Sequence, residues 1–318
     1  MEPSFEEVRR AAERVRPHVH RTPVMTSASL DAMTGGRLFF KCENLQRGGA
    51  FKIRGATNAV LSLSEEQAAR GVVTHSSGNH GQAVALAAAD RGIPAWVVMP
   101  DNAPRVKREA VAGYGGQVTL CAPTAQAREA AAAQICDETG ATLLHSYENP
   151  WVIAGQGTAA LELLEELPDL DLLLMPVGGG GLAAGSALAA SGAAPGCRVI
   201  ACEPAGADDT YRSFRAGERL PGGNPQTIAD GLRMPVGELA FPILQRLLAD
   251  VVRVSEEAIV GAMRRIFERM KLVVEPSAAV PLAAILQGEI DPEGRRVGII
   301  LSGGNVDLDR LPWTVMAG

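Results

Sequence analysis

Leu172-Leu173-Leu174-Met175-Pro176-Val177-Gly178-Gly179-Gly180-Gly181-Leu182 is the stretch on which the fold turns. A short apolar run reads as a buried strand, four glycines follow, and an Ala-rich helix starts at about Leu182. That geometry aims several backbone N–H groups and the positive end of a helix at one spot, where an anion can sit. Glycine lets the backbone approach a phosphate with no Cβ in the way. A flexible connector is the competing reading, but connectors seldom lie between a buried strand and an apolar helix. The run is not Gly-x-Gly-x-x-Gly with a downstream ribose acid, and it lacks the Lys-Ser/Thr of a nucleotide loop. It suits the single phosphate of a small cofactor.

The same alternation extends in both directions. Short apolar runs stand at 38–42, 72–75, 95–99, 118–121, 143–145, 172–177, 199–202 and 297–301, and the intervening sequence predicts helices over 79–91, 103–113 and 124–138. Apolar runs of four to six residues, each followed by a helix, are buried parallel strands joined by crossovers. The fold class is therefore α/β, doubly wound. The chain opens with a helix whose Ser4 and Glu7 form a capping box, with Phe5, Val8, Ala12 and Val15 at helical spacing. Pro221-Gly222-Gly223-Asn224-Pro225 is the most loop-like segment, and the pattern breaks again at Ser146-Tyr147-Glu148-Asn149-Pro150, the expected domain boundary.

Composition excludes several classes. With 47% hydrophobic and 21% charged residues, the chain of 318 residues can bury a core, so it is neither disordered nor collagen-like. No apolar run reaches the ~18 residues of a membrane span. A net charge of −6 argues against capture of nucleic acid. The polar, acidic start Met1-Glu2-Pro3-Ser4 carries no secretory signal, and Cys42, Cys121, Cys136, Cys197 and Cys202 are scattered without a Cys-x-x-Cys. A cytoplasmic location with reduced thiols is expected. Lysine occurs only at 41, 52, 107 and 271, which singles out each one as a candidate for amine chemistry.

Three further segments carry chemistry. In Gly48-Gly49-Ala50-Phe51-Lys52-Ile53-Arg54-Gly55-Ala56 a lysine follows an aromatic residue at a helix start. A desolvated lysine near other cations and a helix N-terminus has the depressed pKa that a Schiff-base amine needs. In Thr74-His75-Ser76-Ser77-Gly78-Asn79-His80-Gly81 a strand meets a polar loop and then a helix, a combination that suits a substrate carboxylate. Leu301-Ser302-Gly303-Gly304-Asn305 again follows a strand, and ligands of open α/β sheets bind outside such strand ends. Together the four loops ask for a phosphate, a carbonyl carried by an amine, a carboxylate, and a polar partner for an aromatic ring.

These segments, in this order, resemble the serine racemase and threonine dehydratase group of fold-type II pyridoxal-phosphate enzymes, which share the architecture of the tryptophan synthase beta chain. The resemblance runs from about Arg21-Thr22-Pro23 to Asn305-Val306-Asp307, and includes Gly155-Gln156-Gly157-Thr158 and Thr227-Ile228-Ala229-Asp230-Gly231. It implies two doubly wound domains with mostly parallel sheets: a large one from 1–64 plus 147–318, and a small mobile one over 65–146. It also implies that Lys52 holds pyridoxal 5'-phosphate as a Schiff base, Phe51 packs by the ring, and Asn79 bonds the ring hydroxyl. Gly178, Gly179, Gly180, Gly181 and Leu182 would cradle the phosphate, Glu275 would lie near the ring, and Ser302 would face the pyridine nitrogen. Ser76, Ser77, His80 and Arg128 would surround the substrate, and the assembly would be a homodimer or homotetramer.

The implied activity is elimination of water and ammonia from L-threonine and L-serine, giving 2-oxobutanoate or pyruvate, with Lys52 as general base. Ser77, on the opposite face, would add serine racemisation, the second choice; 3-hydroxyaspartate ammonia-lyase is third. A non-catalytic nucleotide- or cofactor-binding module is the reading from another class. Two departures stand out: Ala50 replaces the serine often found before Phe-Lys, and the 13 residues after Asn305 leave no room for an amino-acid-sensing domain. In Glu203-Pro204-Ala205-Gly206-Ala207-Asp208-Asp209, spacing alone favours a solvated acidic loop. The resemblance instead implies a site for Mg2+ or Ca2+, held by Glu203, Asp209 and the Ala207 carbonyl.

Overall fold

Ser4 caps the first helix, Phe5–Val15, and exchanges hydrogen bonds with Glu7 in the capping box that the sequence predicts. The structure, a computed structural model, describes residues 2–76, 78–103 and 105–315, without the side chains at 106, 107, 314 and 315. Its strands are β1 Val24–Thr26, β2 Arg37–Cys42, β3 Val72–His75, β4 Ala95–Pro100 and β5 Gln117–Cys121. They continue with β6 Thr142–Leu143, β7 Leu172–Pro176, β8 Arg198–Pro204, β9 Asp250–Val254 and β10 Arg296–Leu301.

These strands form two sheets, ordered β1-β2-β10-β7-β8-β9 and β5-β4-β3-β6. Every pairing is parallel except β1 with β2. The larger sheet joins residues from both ends of the chain, because β10 pairs with β2 as well as β7. The smaller sheet uses only residues between 72 and 143. This is the fold-type II arrangement: α/β, with mostly parallel sheets.

β7 shows why the parallel reading works. All five of its residues are buried, and its side chains sort by period two. Leu173 and Met175 join the core beneath the helices Pro150–Glu166 and Gly181–Ala193. Leu172 and Leu174 enter the core on the other face, under the helix Pro276–Leu286. Each fully buried leucine contributes about 1.5–3 kcal/mol of transfer free energy.

The predicted helices stand at Asn79–Arg91, Arg105–Gly113 and Ala125–Thr139. Three details differ from the sequence reading. The run at 143–145 yields only the two-residue β6, because the Leu144 carbonyl is taken by Thr74 Oγ1 and His80 Nε2. His145 Nδ1 then accepts from the Glu148 N–H, which turns the chain away from the sheet. β1 and β9 lie at the sheet edges and lack the continuous apolar signature: β1 has three residues, and β9 is interrupted by the exposed Arg253. No helix among the described residues is long and apolar enough to cross a membrane, and all five cysteines are free.

Candidate active site

Lys52 is the first residue of the helix Lys52–Leu61. Its Nζ stands 5.0 Å from the Phe51 ring centroid and 3.5 Å from the Ser146 carbonyl. Burial pushes its amine down to about 8, with the Glu275 charge acting in the opposite direction. The preceding loop is zipped to the loop after β10: Phe51 N–H donates to the Ser302 carbonyl at 3.0 Å and Gly304 N–H to the Gly49 carbonyl at 2.8 Å. Ser302 is thereby buried next to the Lys52 turn. Gly49 has φ +72°, and a Cβ there would lie 2.4 Å from Asn305 Oδ1, so the close approach of the two loops requires glycine.

Asn79 begins the helix that follows β3. Its Nδ2 donates to both Glu275 oxygens at 3.0 Å, and its Oδ1 accepts from Asn305 Nδ2 at 3.0 Å. Asn305 Nδ2 also reaches the Gly48 carbonyl at 2.8 Å. The loops after β3 and β10 and the loop before Lys52 therefore meet in one polar network.

The glycine run fits a phosphate cradle. Gly180 has φ +90° and no side chain caps the helix Gly181–Ala193, so its first N–H groups keep their anion-binding capacity. A Cβ on Gly179 would lie 2.2 Å from the Tyr147 ring, and one on Gly178 would lie 2.9 Å from Leu232 Cα. Leu182 is buried in the first turn.

On the expected substrate side, Ser76 Oγ accepts from the Gly78 N–H at 3.3 Å. His80 is wholly buried, with Nε2 bonded to the Leu144 carbonyl at 3.1 Å and Nδ1 without a partner among the described residues. Burial, then the charge of Lys52, push His80 down to about 3, so the ring is neutral and its N–H is committed. It offers an acceptor, so donors to a carboxylate would come from the Ser76 hydroxyl and from the loop and helix N–H groups. Arg128, on the helix Ala125–Thr139, sits close enough to His75 to reinforce the downward shift that burial imposes there. Ser77 lies outside the described residues.

Three neighbours carried no assigned role in the sequence reading: Ser146, His145 and Tyr147. The rings of His75, His145 and Tyr147 stack edge to face, at 5.3 and 4.6 Å between centroids. Burial, then His75 and Lys52, push His145 down to about 4. The only signal for Ser146 and Tyr147 was the break in pattern at 146–150, and His145 was read as the end of the run 143–145.

Away from this cluster, Glu203 and Asp209 are both buried. Glu203 caps the helix Asp209–Ala216, accepting from Thr210 and Tyr211 N–H at 3.2 and 2.9 Å. Asp209 Oδ2 accepts from Val236 N–H at 2.8 Å. Burial, then repulsion from Asp209, push Glu203 up to about 8. A cation would relieve that repulsion. A cavity of about 130 Å³ is lined by Ala207 and Asp209 together with Arg212 and Arg233, but not by Glu203, and the described residues hold no cluster of three or more His, Cys, Asp or Glu side chains placed for a metal.

Comparison with known proteins follows the same lines. A family model described as pyridoxal-phosphate dependent enzyme matches residues 15–303. The β-hydroxyaspartate dehydratase of Paracoccus denitrificans (strain Pd 1222) is 50% identical over 311 residues, covering 98% of this chain and 99% of that protein. The structure of maize serine racemase superposes with a TM-score of 0.95 at 48% identity, covering 99% of this chain and 97% of that one. The structure of a threonine deaminase from T.th. gives 0.91 at 43% identity, covering 96% and 99%.

Proposed function

This chain belongs to the pyridoxal-phosphate dependent enzymes, and we propose that it removes water and ammonia from a β-hydroxy-α-amino acid with Lys52 as the base. The observation that carries the reading is the Lys52 amine, pushed down to about 8 where three loops converge. Pyridoxal phosphate, when bound, supplies the electron sink that acidifies the substrate Cα–H. Gly178, Gly179, Gly180, Gly181 and Leu182 would hold its phosphate, Phe51 would pack by its ring, Asn79 and Glu275 would lie by the ring, and Ser302 would serve the pyridine nitrogen. A neutral hydroxyl at that nitrogen keeps the ring less electron-demanding than a carboxylate would, which favours prompt loss of the β-hydroxyl. Lys52 takes the Cα proton, the hydroxyl leaves with a proton as water, and the hydrolysed product is a 2-oxo acid plus ammonia.

The substrate class is serine, threonine and 3-hydroxyaspartate. The acidic member is favoured because the Paracoccus relative is named for β-hydroxyaspartate; Arg128, whose charge is felt at His75 at the end of β3, is the candidate to pair with its second carboxylate. Serine racemisation is the second reading, supported by likeness to the maize enzyme. The decisive experiment measures 2-oxo acid and ammonia from L-serine, D-serine, L-threonine and both 3-hydroxyaspartates. The expected result is highest kcat/KM on a 3-hydroxyaspartate, with an Arg128→Ala variant losing about 10–100-fold on it and little on serine. No 2-oxo acid from any of them, with the cofactor bound, would leave only a cofactor-binding module.

We also read residues 65–146 as a unit that moves against 1–64 plus 147–318, and the chain as a homodimer or homotetramer. Glu203, Asp209 and the Ala207 carbonyl are proposed to hold Mg2+ or Ca2+. Chelation should then lower the melting temperature by several degrees and reduce activity, and either ion should restore both. An ion at one hundred times its dissociation constant adds about 2.7 kcal/mol, and about 1 kcal/mol moves the midpoint by ~2–4 °C in a large domain. An unchanged midpoint and activity after chelation, with no metal by elemental analysis, would leave a carboxylate that only caps a helix.

A further inference from the structure

The sequence motif Gly155-Gln156-Gly157-Thr158 touches none of the proposed cofactor or substrate positions, and its surroundings show another role. It lies in the middle of the helix Pro150–Glu166, where every residue from 152 to 161 is buried, between the helix that begins at Lys52 and the one that begins at Gly181. On one flank, a Cβ on Gly155 would lie 2.6 Å from Gly55 Cα and 2.7 Å from the Arg54 carbonyl. On the other, a Cβ on Gly157 would lie 2.5 Å from the Gly185 carbonyl oxygen, and one on Gly185 would lie 2.3 Å from that of Ile153. These obstacles are backbone atoms, which cannot rotate aside. Gly55 is three residues beyond Lys52, and Gly185 is four beyond Gly181. Both close contacts thus fall within about one helical turn of the groups that would hold the cofactor.

Other bonds fix the register along the helix. Gln156, wholly buried, accepts the Gly55 N–H at 3.1 Å, while its Nε2 has no partner among the described residues. Thr158 Oγ1 accepts from Arg54 Nη1 at 3.3 Å. Glu162 takes both Arg54 Nη groups at 2.8 Å and the Lys41 ammonium at 2.7 Å, and Glu43 pairs with the same guanidinium. A slip of one residue would move the helix by about 1.5 Å and break the bonds of Gln156, Thr158 and Glu162 together.

We propose that Gly155, Gln156 and Gly157 are positioning residues that set the distance between the Lys52 amine and the Gly178–Gly181 cradle. The inference rests on the reading that those two features hold pyridoxal phosphate. That ligand is rigid and has two points of attachment, an aldehyde and a phosphate. Its affinity therefore depends on both being met at once, as for any bivalent ligand. Widening the gap should weaken the two-point ligand while leaving each single attachment intact.

The test compares the cofactor-stripped chain with its Gly157→Ala, Gln156→Ala and Gly261→Ala variants. Gly261 is a control because a Cβ there meets nothing within 4 Å. Each is titrated with pyridoxal phosphate, with pyridoxine 5'-phosphate, which lacks the aldehyde, and with pyridoxal, which lacks the phosphate. Gly157→Ala should raise the Kd for pyridoxal phosphate at least tenfold and change the other two less than threefold. Gln156→Ala should show the same pattern with a smaller, few-fold effect, and it decides the matter if Gly157→Ala does not fold. Parallel weakening of all three ligands, or no change in any, would overturn the spacer role. Wild-type protein that takes up none of the three sinks the cofactor reading, and the spacer with it.

Discussion

Lys52→Ala is expected to lower kcat by about 10³-fold or more, the scale lost when a positioned general base is removed, and to abolish covalent retention of the cofactor. Borohydride reduction of the wild-type holoenzyme followed by peptide mapping should place the pyridoxyl group on Lys52. Lys41 is wholly buried, and its Nζ is bonded at 2.7 Å to both the Thr22 carbonyl and Glu162. Lys271 is exposed, with Nζ on the Glu268 carbonyl at 2.6 Å. The side chain of Lys107 lies outside the described residues. An adduct on any of these three would sink the assignment.

The shifted amine also predicts a pH dependence of cofactor attachment. Only the neutral amine attacks an aldehyde, and burial lowers the Lys52 value from 10.5 to about 8. Half of the amine is then neutral near pH 8, where an ordinary lysine would be almost wholly protonated. The rate of attachment to the stripped chain should climb about tenfold per pH unit below that point and level off above it. A rate still climbing beyond pH 10 would show that the amine is not desolvated.

Much of this was legible in the sequence, for definable reasons. β7, the glycine run and the helix after it carry three local signals in succession, and each is enforced by burial or by φ, as at Gly180. The Ser4–Glu7 box and β3 at 72–75 are likewise local. What escaped depends on distant partners. β9 is a strand because it completes the edge beside β8, and its own residues give a mixed pattern. Tyr147 matters because its ring fills the space above Gly179, which no spacing rule could foresee. Asn305 was part of a quoted motif, yet its bridge from Gly48 to Asn79 joins residues 257 and 226 positions away. His80 shows a further limit: the resemblance implies only that it lies around the substrate, while its burial and its Leu144 partner leave it an acceptor.

Ser77→Ala should separate the two activities that share one carbanion. Ser77 directly precedes Gly78-Asn79-His80 in the sequence, and the family likeness implies that it would act on the face of the substrate opposite Lys52. Racemisation needs a proton taken from Cα on one face and returned on the other, so a second acid–base group is obligatory. Elimination from an L-substrate needs only Lys52 and a proton for the departing hydroxyl. The variant should therefore lose L-to-D interconversion of serine, and any attack on D-serine, by about 10²-fold or more, the scale of a missing acid–base catalyst. Elimination from L-serine should fall by less than about tenfold, because a change confined to one face leaves stabilisation on the other in place. His80 cannot substitute, since its N–H is bonded to Leu144 and its ring resists protonation down to about 3. Chiral chromatography of serine beside a 2-oxo acid assay, on wild type and variant, reads both outcomes. A variant that racemises as fast as wild type removes Ser77 from the mechanism. A wild type that forms no D-serine is a dehydratase alone, in which Ser77 can serve only binding.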